Sequence, residues 1–598
     1  MSRILFPFLF VMVLILSLQA EEHIEHQHVS VSLEPEPVVT TTSSQNPIST
    51  PTTTSESVTE TNSEETDENP LIVDISTGKI EGQELKTVDQ KKPYYAFQGI
   101  PYAKPPVGEL RFMEPVPAET WNYTMKTVKD GPMCVQLLST SGSEDCLYLN
   151  VYSPKTKNEE KLPVMVWIYG EAFVGGSSKM EKFGPDYFLE QDVILVSFNY
   201  RTGVFGFLST GDYAATGNWG LKDQILALNW VQQNIEKFGG DSKDVTLFGQ
   251  SAGAACVSIL IESPLARGLF HKAIMQSGTS LNSWAHSQNA KKSVYAMAQL
   301  LDINTSNTNE LVEHLRKVDY RTLHMVSVST GLAELLTHNA LSGLIFAPCI
   351  EVNHPGAVLT NFSHSIMKNG DFSRIPVMVG FNSEEGARGV DMLTFLKPYV
   401  ASYDLFSTRL VPASLNIERS LQKIVAAQLI RMKYFGLMPI RLSNKNLIGF
   451  ITDDQFVRPI YEYIKQCSKY TPTYFYIFSY EGALGVKGEN REPTGVGHSE
   501  ENHYLWNQED NIENAPIEDI LTRQRLIRLW TNFAKTGYPT PENDALLQNV
   551  TWPPTNFQTM VYLNITKNLE LGTNVEKYNI QFWDHIFQRF GNPPYDTY

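Results

Sequence analysis

Five cysteines in 598 residues are too few to staple a small scaffold, and an odd number leaves at least one thiol unpaired or intermolecular. Positive charge is also short: 48 Lys and Arg stand against 65 Asp and Glu, a net charge of −17, which argues against nucleic acid as a partner. Residues 21–69 lack aromatics, Lys and Arg altogether and carry eleven carboxylates. With +1 from Arg3 also set aside, the remainder carries −7, so the acidity belongs largely to this leader and says little about a substrate. Beyond the first twenty residues no segment is expected to span a membrane. No internal repeat and no second catalytic module is visible.

The leader itself divides in two. Met1–Ala20 has one basic residue, an apolar run from Ile4 to Leu18 and the ending Leu18-Gln19-Ala20, which reads as a cleaved secretory signal, too short to span a bilayer comfortably. Residues 21–69 are rich in Thr, Ser and Glu. They cannot bury enough surface to offset the entropy of ordering and are expected to be disordered, Thr40–Thr54 resembling an O-glycosylated stalk. One large domain is expected over 70–590, with 591–598 as a short tail. The C-terminus has neither an ER-retention tetrapeptide nor a GPI-type hydrophobic tail. A secreted, extracellular chain is the expectation.

The most informative stretch is Asp244–Ala255. A β-prone run, Val245–Phe248, leads into Gly249-Gln250-Ser251-Ala252-Gly253, and a small-residue segment fit to start a helix follows. This G-x-S-x-G pattern is that of a sharp strand-to-helix turn that lifts a serine hydroxyl clear of a sheet. The two glycines avoid collisions in the turn, and the Ala252 N–H is left free to stabilise an oxyanion. The bland alternative is a buried strand–turn–helix whose serine only caps the helix. A nucleophilic serine needs a base, and the base an orienting acid, in the chain order Ser, Asp or Glu, His. Downstream, the apolar strand Ile375–Asn382 ends at Ser383-Glu384-Glu385-Gly386, and the loop Gly495-Val496-Gly497-His498 carries one histidine. Alternation of β and α at Val193–Asn199, Lys222–Lys237, Val245–Phe248 and Ala252–Ile261 implies a mostly parallel, doubly wound α/β sheet.

From Ile72 to Phe587 the chain resembles a type-B carboxylesterase of the cholinesterase–carboxylesterase family. The landmarks are Phe97–Ala103, Gly108–Phe112, Ser143–Asn150, Asn199-Tyr200-Arg201, Gly217–Gln224, the elbow and Trp530–Gly537. The resemblance implies an α/β-hydrolase fold with insertions over the active site. It makes Ser251 the nucleophile, Glu385 the acid and His498 the base of a serine carboxylesterase working through an acyl-enzyme. It makes Ser277 a buttress of that triad, and it pairs Cys134 with Cys146. Cys256, Cys349 and Cys467 remain, Cys256 being read as a buried packing residue. Arg111-Phe112, Asp223-Gln224, Gly249–Gly253, Glu385 and Gly495-x-x-His498-x-x-Glu501 together are similar to the motif set of insect juvenile hormone esterases. Gln250 replaces the Glu found before the serine in cholinesterases, which favours a neutral, largely apolar small-molecule ester. No cofactor and no metal enters this reading.

The departure lies in the oxyanion loop after Val164–Ile168. The family usually has three glycines where this chain has Gly170, Glu171 and Ala172; the backbone N–H groups of Glu171, Ala172 and Ala252 would bind the oxyanion. A Glu171 carboxylate turned into the hole would cost roughly 3–4 kcal/mol at about 4–5 Å and an effective dielectric near 20, or about two to three decades in rate. Turned away, it would cost nothing. Because of Glu171, a low-turnover or non-catalytic binding or adhesion protein is the alternative function. Sequons at Asn122, Asn304, Asn361, Asn549 and Asn564 are N-glycosylation candidates.

Overall fold

The structure is a computed structural model that describes residues 69–136, 142–155, 160–287, 289–337, 343–387, 402–485, 495–508, 515–575 and 578–598. The secretory signal expected over 1–20 and almost all of the acidic leader over 21–69 fall outside these residues. A small sheet joins β1 (Ile72–Ile75), β2 (Gly78–Glu81) and β5 (Thr124–Lys126). The main sheet has eleven strands: β3 (Gln83–Lys86), β4 (Pro93–Pro101), β6 (Tyr148–Ser153), β7 (Leu162–Ile168), β8 (Ile194–Phe198), β9 (Gly240–Gln250), β10 (Lys272–Gln276), β11 (Val377–Asn382), β12 (Thr473–Phe478), β13 (Tyr562–Ile565) and β14 (Leu569–Gly572). Its order is β14-β13-β12-β11-β10-β9-β7-β8-β6-β4-β3. Every pairing from β8 through β13 is parallel, and the antiparallel pairings sit at the two flanks. The central strands β8, β10, β11 and β12 are buried along their whole length, which is why they read as continuous apolar runs rather than as alternation. This is the mostly parallel α/β sheet expected from the alternating elements, in the α/β-hydrolase fold that the resemblance implies.

The register lines up the strand ends. Ile168 of β7, Gly249 of β9, Met275 of β10 and Val379 of β11 are successive neighbours across the sheet. Two residues further along the first three strands lie Gly170, Ser251 and Ser277, so a row of chain turns opens on one edge. Parallel strands all present their C-terminal ends to the same side, which is where such sheets carry their sites. Helices α1 (Trp219–Asn234) and α2 (Ala252–Glu262) flank β9 in sequence. Insertions after β11 supply α3 (Ser420–Tyr434), α4 (Asn444–Ile451), a π-helical turn over Thr452–Val457 and α5 (Arg458–Cys467). Near the C-terminus come α6 (Ile517–Thr536) and α7 (Ile580–Phe590).

Two recognised motifs turn out to be buried ion pairs. Arg201 donates from Nε and an Nη to both carboxylate oxygens of Asp223, at 2.8 and 2.7 Å. Arg111 holds Glu144 in the same forked manner, at 2.6 Å for each bond. Such planar, bidentate pairs satisfy charge and geometry together, which Lys would not do. Cys134 and Cys146 are bonded. Cys256, Cys349 and Cys467 are buried with free thiols, and burial pushes each up to about 12, so they are unreactive. The last eight residues are not a free tail: Thr597 and Tyr598 are buried, Tyr598 stacks on Phe587 at 4.2 Å, and its N–H donates to Leu281.

Glu262, at the end of α2, is buried and accepts from Ser280 Oγ and, at 2.6 Å, from Ser363 Oγ. Burial, only partly offset by these bonds, pushes its carboxyl up to about 7. The native state therefore binds this proton more tightly than the unfolded chain does. The stability it contributes is fully present below the unfolded value of about 4.3 and falls as pH rises towards 7, by about 3 kcal/mol. Glu262→Gln should remove this decline, so melting curves at pH 5 and pH 8 should differ less for the variant than for the wild type. Equal pH sensitivity of the two proteins would contradict the assignment.

Candidate active site

Ser251 sits between β9 and α2 with φ 57° and ψ −126°, a conformation that costs an L-residue strain and projects its side chain off the turn. Four glycines make room for it. A Cβ on Gly249 would come within 2.7 Å of the Ile168 carbonyl oxygen, and one on Gly253 within 2.1 Å of the same atom. A Cβ on Gly170 would meet the Gln250 oxygen at 2.5 Å, and one on Gly278 the Ser251 oxygen at 2.3 Å. Each contact is with backbone, which cannot step aside. Ser251 N–H donates to the Gln276 oxygen at 2.8 Å, tying the turn to the end of β10.

The three residues singled out in sequence meet here, although 134 and 113 positions separate them. His498 Nε2 lies 2.8 Å from Ser251 Oγ, and His498 Nδ1 lies 2.7 Å from Glu385 Oε2. Glu385 is fully buried, and its second oxygen accepts the Asn382 N–H at 2.7 Å, so the end of β11 fixes one carboxylate oxygen and His498 meets the other. The arrangement can take the hydroxyl proton onto the imidazole while the carboxylate holds the ring in the tautomer that accepts it.

Further residues surround this line, among them Glu501, which the sequence marked only as part of a motif set. Glu501, three residues beyond His498 across a turn, is buried and accepts from Asn382 Nδ2 at 2.6 Å and from Gln276 Nε2 at 3.2 Å. Burial first, and the neighbouring Glu385 second, push its carboxyl upward. Trp530 Nε1 in turn donates to Gln276 Oε1 at 3.1 Å. The resemblance places a buttress at Ser277. Ser277 is buried at φ 56° and its hydroxyl has no hydrogen-bond partner among the described residues, whereas Gln276 holds Glu501 and the Ser251 amide. Aromatic rings run alongside: Phe456 lies 4.7 Å from the His498 ring, Trp284 5.9 Å from Phe456, and Phe173 6.5 Å from Trp284. No local signal marks these rings, because each comes from a different segment of the chain.

The oxyanion loop has its own geometry. Tyr169 stacks on Tyr200 at 4.6 Å, and the Tyr200 hydroxyl donates to the Tyr169 oxygen at 2.9 Å, anchoring the chain just before Gly170. Glu171, Ala172 and Phe173 follow at φ 71°, 53° and 59°. Left-handed backbone costs a non-glycine residue roughly 1–2 kcal/mol, which is a physical reason for the glycines that the resemblance leads one to expect. The Glu171 carboxylate pairs with Lys182, and its side chain is about half exposed, at 48%. Of its two orientations the outward one is adopted.

The carboxylesterase family model matches residues 69–583. The juvenile hormone esterase of Tribolium castaneum is 36% identical over 535 residues, covering 82% of this chain and 90% of that protein. A carboxylic ester hydrolase of Bombus ignitus is 34% identical, covering 86% and 94% respectively. A crystal structure of juvenile hormone esterase from Manduca sexta, with OTFP covalently attached, superposes with a TM-score of 0.77 at 28% identity, covering 87% of this chain and 99% of that one.

Exposed to water and paired with Lys182, the Glu171 carboxylate is largely screened from an oxyanion. Glu171→Gln and Glu171→Gly should therefore leave kcat on a p-nitrophenyl ester within about twofold of wild type. A rise of tenfold or more in both would show that the carboxylate reaches the hole in solution.

Proposed function

Because the chain belongs to the carboxylesterase family and is a carboxylic ester hydrolase, we propose that Ser251 is its nucleophile, His498 its general base and Glu385 the orienting acid. The observation that carries this reading is the pair of short contacts, 2.8 and 2.7 Å, linking the three side chains in line. Ser251 Oγ attacks the ester carbonyl carbon as its proton passes to His498 Nε2. The N–H groups of Glu171, Ala172 and Ala252 receive the oxyanion. The tetrahedral intermediate expels the alkoxide, which takes the proton from His498 and leaves as alcohol. Water, deprotonated by the same histidine, then attacks the acyl-enzyme and releases the acid with Ser251 restored. The covalent attachment of OTFP in the Manduca sexta structure accords with covalent chemistry on this fold.

The substrate is a neutral, largely apolar ester. Trp284 and Phe456, both partly exposed, supply apolar surface beside the triad, with Phe173 packed against Trp284, and Gln250 donates to Ser499 Oγ at 2.8 Å instead of placing a carboxylate before the nucleophile. The outward Glu171 favours this reading over a non-catalytic binding or adhesion role.

Secretion follows from the N-terminal signal read in the sequence, with the Cys134–Cys146 bond in keeping with an oxidising compartment. Asn122, Asn304, Asn361 and Asn549 are exposed as glycan acceptors. Asn564 is the poorer acceptor, half-buried on β13 with Oδ1 bonded to Ser479 Oγ at 2.7 Å. No helix among the described residues is long and apolar enough to cross a membrane.

Ser251→Ala and His498→Ala should each lower kcat by about six decades, and Glu385→Gln by about four. An active-site phosphonate should label wild type at Ser251, read by mass spectrometry of the modified peptide. Labelling at another serine, or ready turnover by Ser251→Ala, would identify a different nucleophile.

A further inference from the structure

Helix α3 is apolar on both sides. Ala426, Ala427 and Ile430 face inward and are buried, while Leu421, Ile424, Val425 and Met432 stand exposed on the opposite side. An ordinary surface helix presents polar residues outward, and one that is apolar all round is normally covered. The exposure continues into the neighbouring segments on either side, with Leu405 80% and Leu437 90% exposed. Nine of the twenty-two large apolar side chains exposed among the described residues fall between Leu405 and Leu442. These segments form one surface with the helix: Arg431 of α3 donates to the Gly436 and Met438 oxygens, and Asp404 accepts the Ile440 N–H at 2.8 Å.

The charge of this surface is opposite to that of the chain. Between Ser402 and Asn446 seven Lys or Arg stand against two carboxylates, Asp404 and Glu418, a balance of +5 in a protein of −17. Asp404 is occupied with the Ile440 amide and lies within 3.8 Å of Arg431 and 3.6 Å of Arg441. Arg419, Lys433, Arg441 and Lys445 are exposed around the apolar side chains. A second copy docking about a two-fold axis would set this cationic rim against itself, since both subunits would present the same patch. Apolar side chains protruding from a basic rim suit an interface of anionic headgroups over acyl chains.

We propose that the face built by α3 and its flanking segments docks on an anionic lipid surface. The same insertion runs on through α4 into the π-helical turn that sets Phe456 against the His498 ring. Resting on the esterase reading above, docking here would bring an apolar ester dissolved in lipid to an element bordering the triad.

The test is co-sedimentation of the full mature protein, at low ionic strength, with vesicles of phosphatidylcholine alone and with about one-third phosphatidylserine, anionic lipid contributing about a threefold to tenfold gain per apposed cation. Wild type should bind the anionic vesicles at least tenfold more tightly. The double variant Leu421→Ser, Leu437→Ser should lose at least tenfold of that binding, and Arg419→Glu with Lys433→Glu should abolish the preference for anionic lipid. Both should hydrolyse a soluble p-nitrophenyl ester as wild type does, which reports their folding and tests the esterase reading separately. Three outcomes overturn the proposal: anionic vesicle binding that is absent or unchanged in both variants, a wild-type dimer in sedimentation velocity that the apolar variant dissociates, or binding to soluble polyglutamate without binding to vesicles.

Discussion

The constraint on which the site depends is the contact between the turn at Ser251 and the backbone beneath it. Strand β9 must stop, reverse into α2 and hold Ser251 at φ 57° while pressed against the ends of β7 and β10. Gly249, Gly253, Gly170 and Gly278 each let one backbone pass within a Cβ radius of another. A side chain at any of them would have to move a strand, and strands packed at interior density do not move cheaply. The strain at Ser251 is thus held by the core of the sheet rather than by local hydrogen bonding.

Parallel register does the rest of the positioning. Since β7, β9, β10, β11 and β12 all run the same way, the turns that follow them share one edge, and residues distant in sequence are brought side by side. Non-glycine residues with left-handed backbone gather there. Six of the sixteen among the described residues, at 171, 172, 173, 251, 277 and 499, lie in these turns. Behind them stands a carboxylate pair with divided roles. Glu385 faces the imidazole, while Glu501 is buried among amide donors, its carboxyl pushed upward by burial and by Glu385 beside it.

Glu171 shows how a polar residue is accommodated where glycine would be easier. Its backbone occupies the same left-handed stretch as its neighbours, and its carboxylate is drawn outward to Lys182, only eleven residues along the chain. The distance between a damaging and a harmless carboxylate is one rotation about its side-chain bonds. Spacing in the sequence carries no information about that rotation.

By itself the sequence determined the α/β alternation, the elbow and the order of Ser251, Glu385 and His498, because each rests on local chemistry: apolar runs for buried strands, glycines where chains cross closely, a loop histidine after a strand. It also marked the two cysteines that are bonded, through resemblance rather than spacing. Tertiary structure alone decided which way Glu171 points, that Gln276 is bonded to Glu501, that Phe173, Trp284 and Phe456 come together, and that the last residues pack onto the body. The physical reason is separation along the chain. These contacts join loops tens to hundreds of residues apart, whose meeting depends on strand register and not on the residues between them.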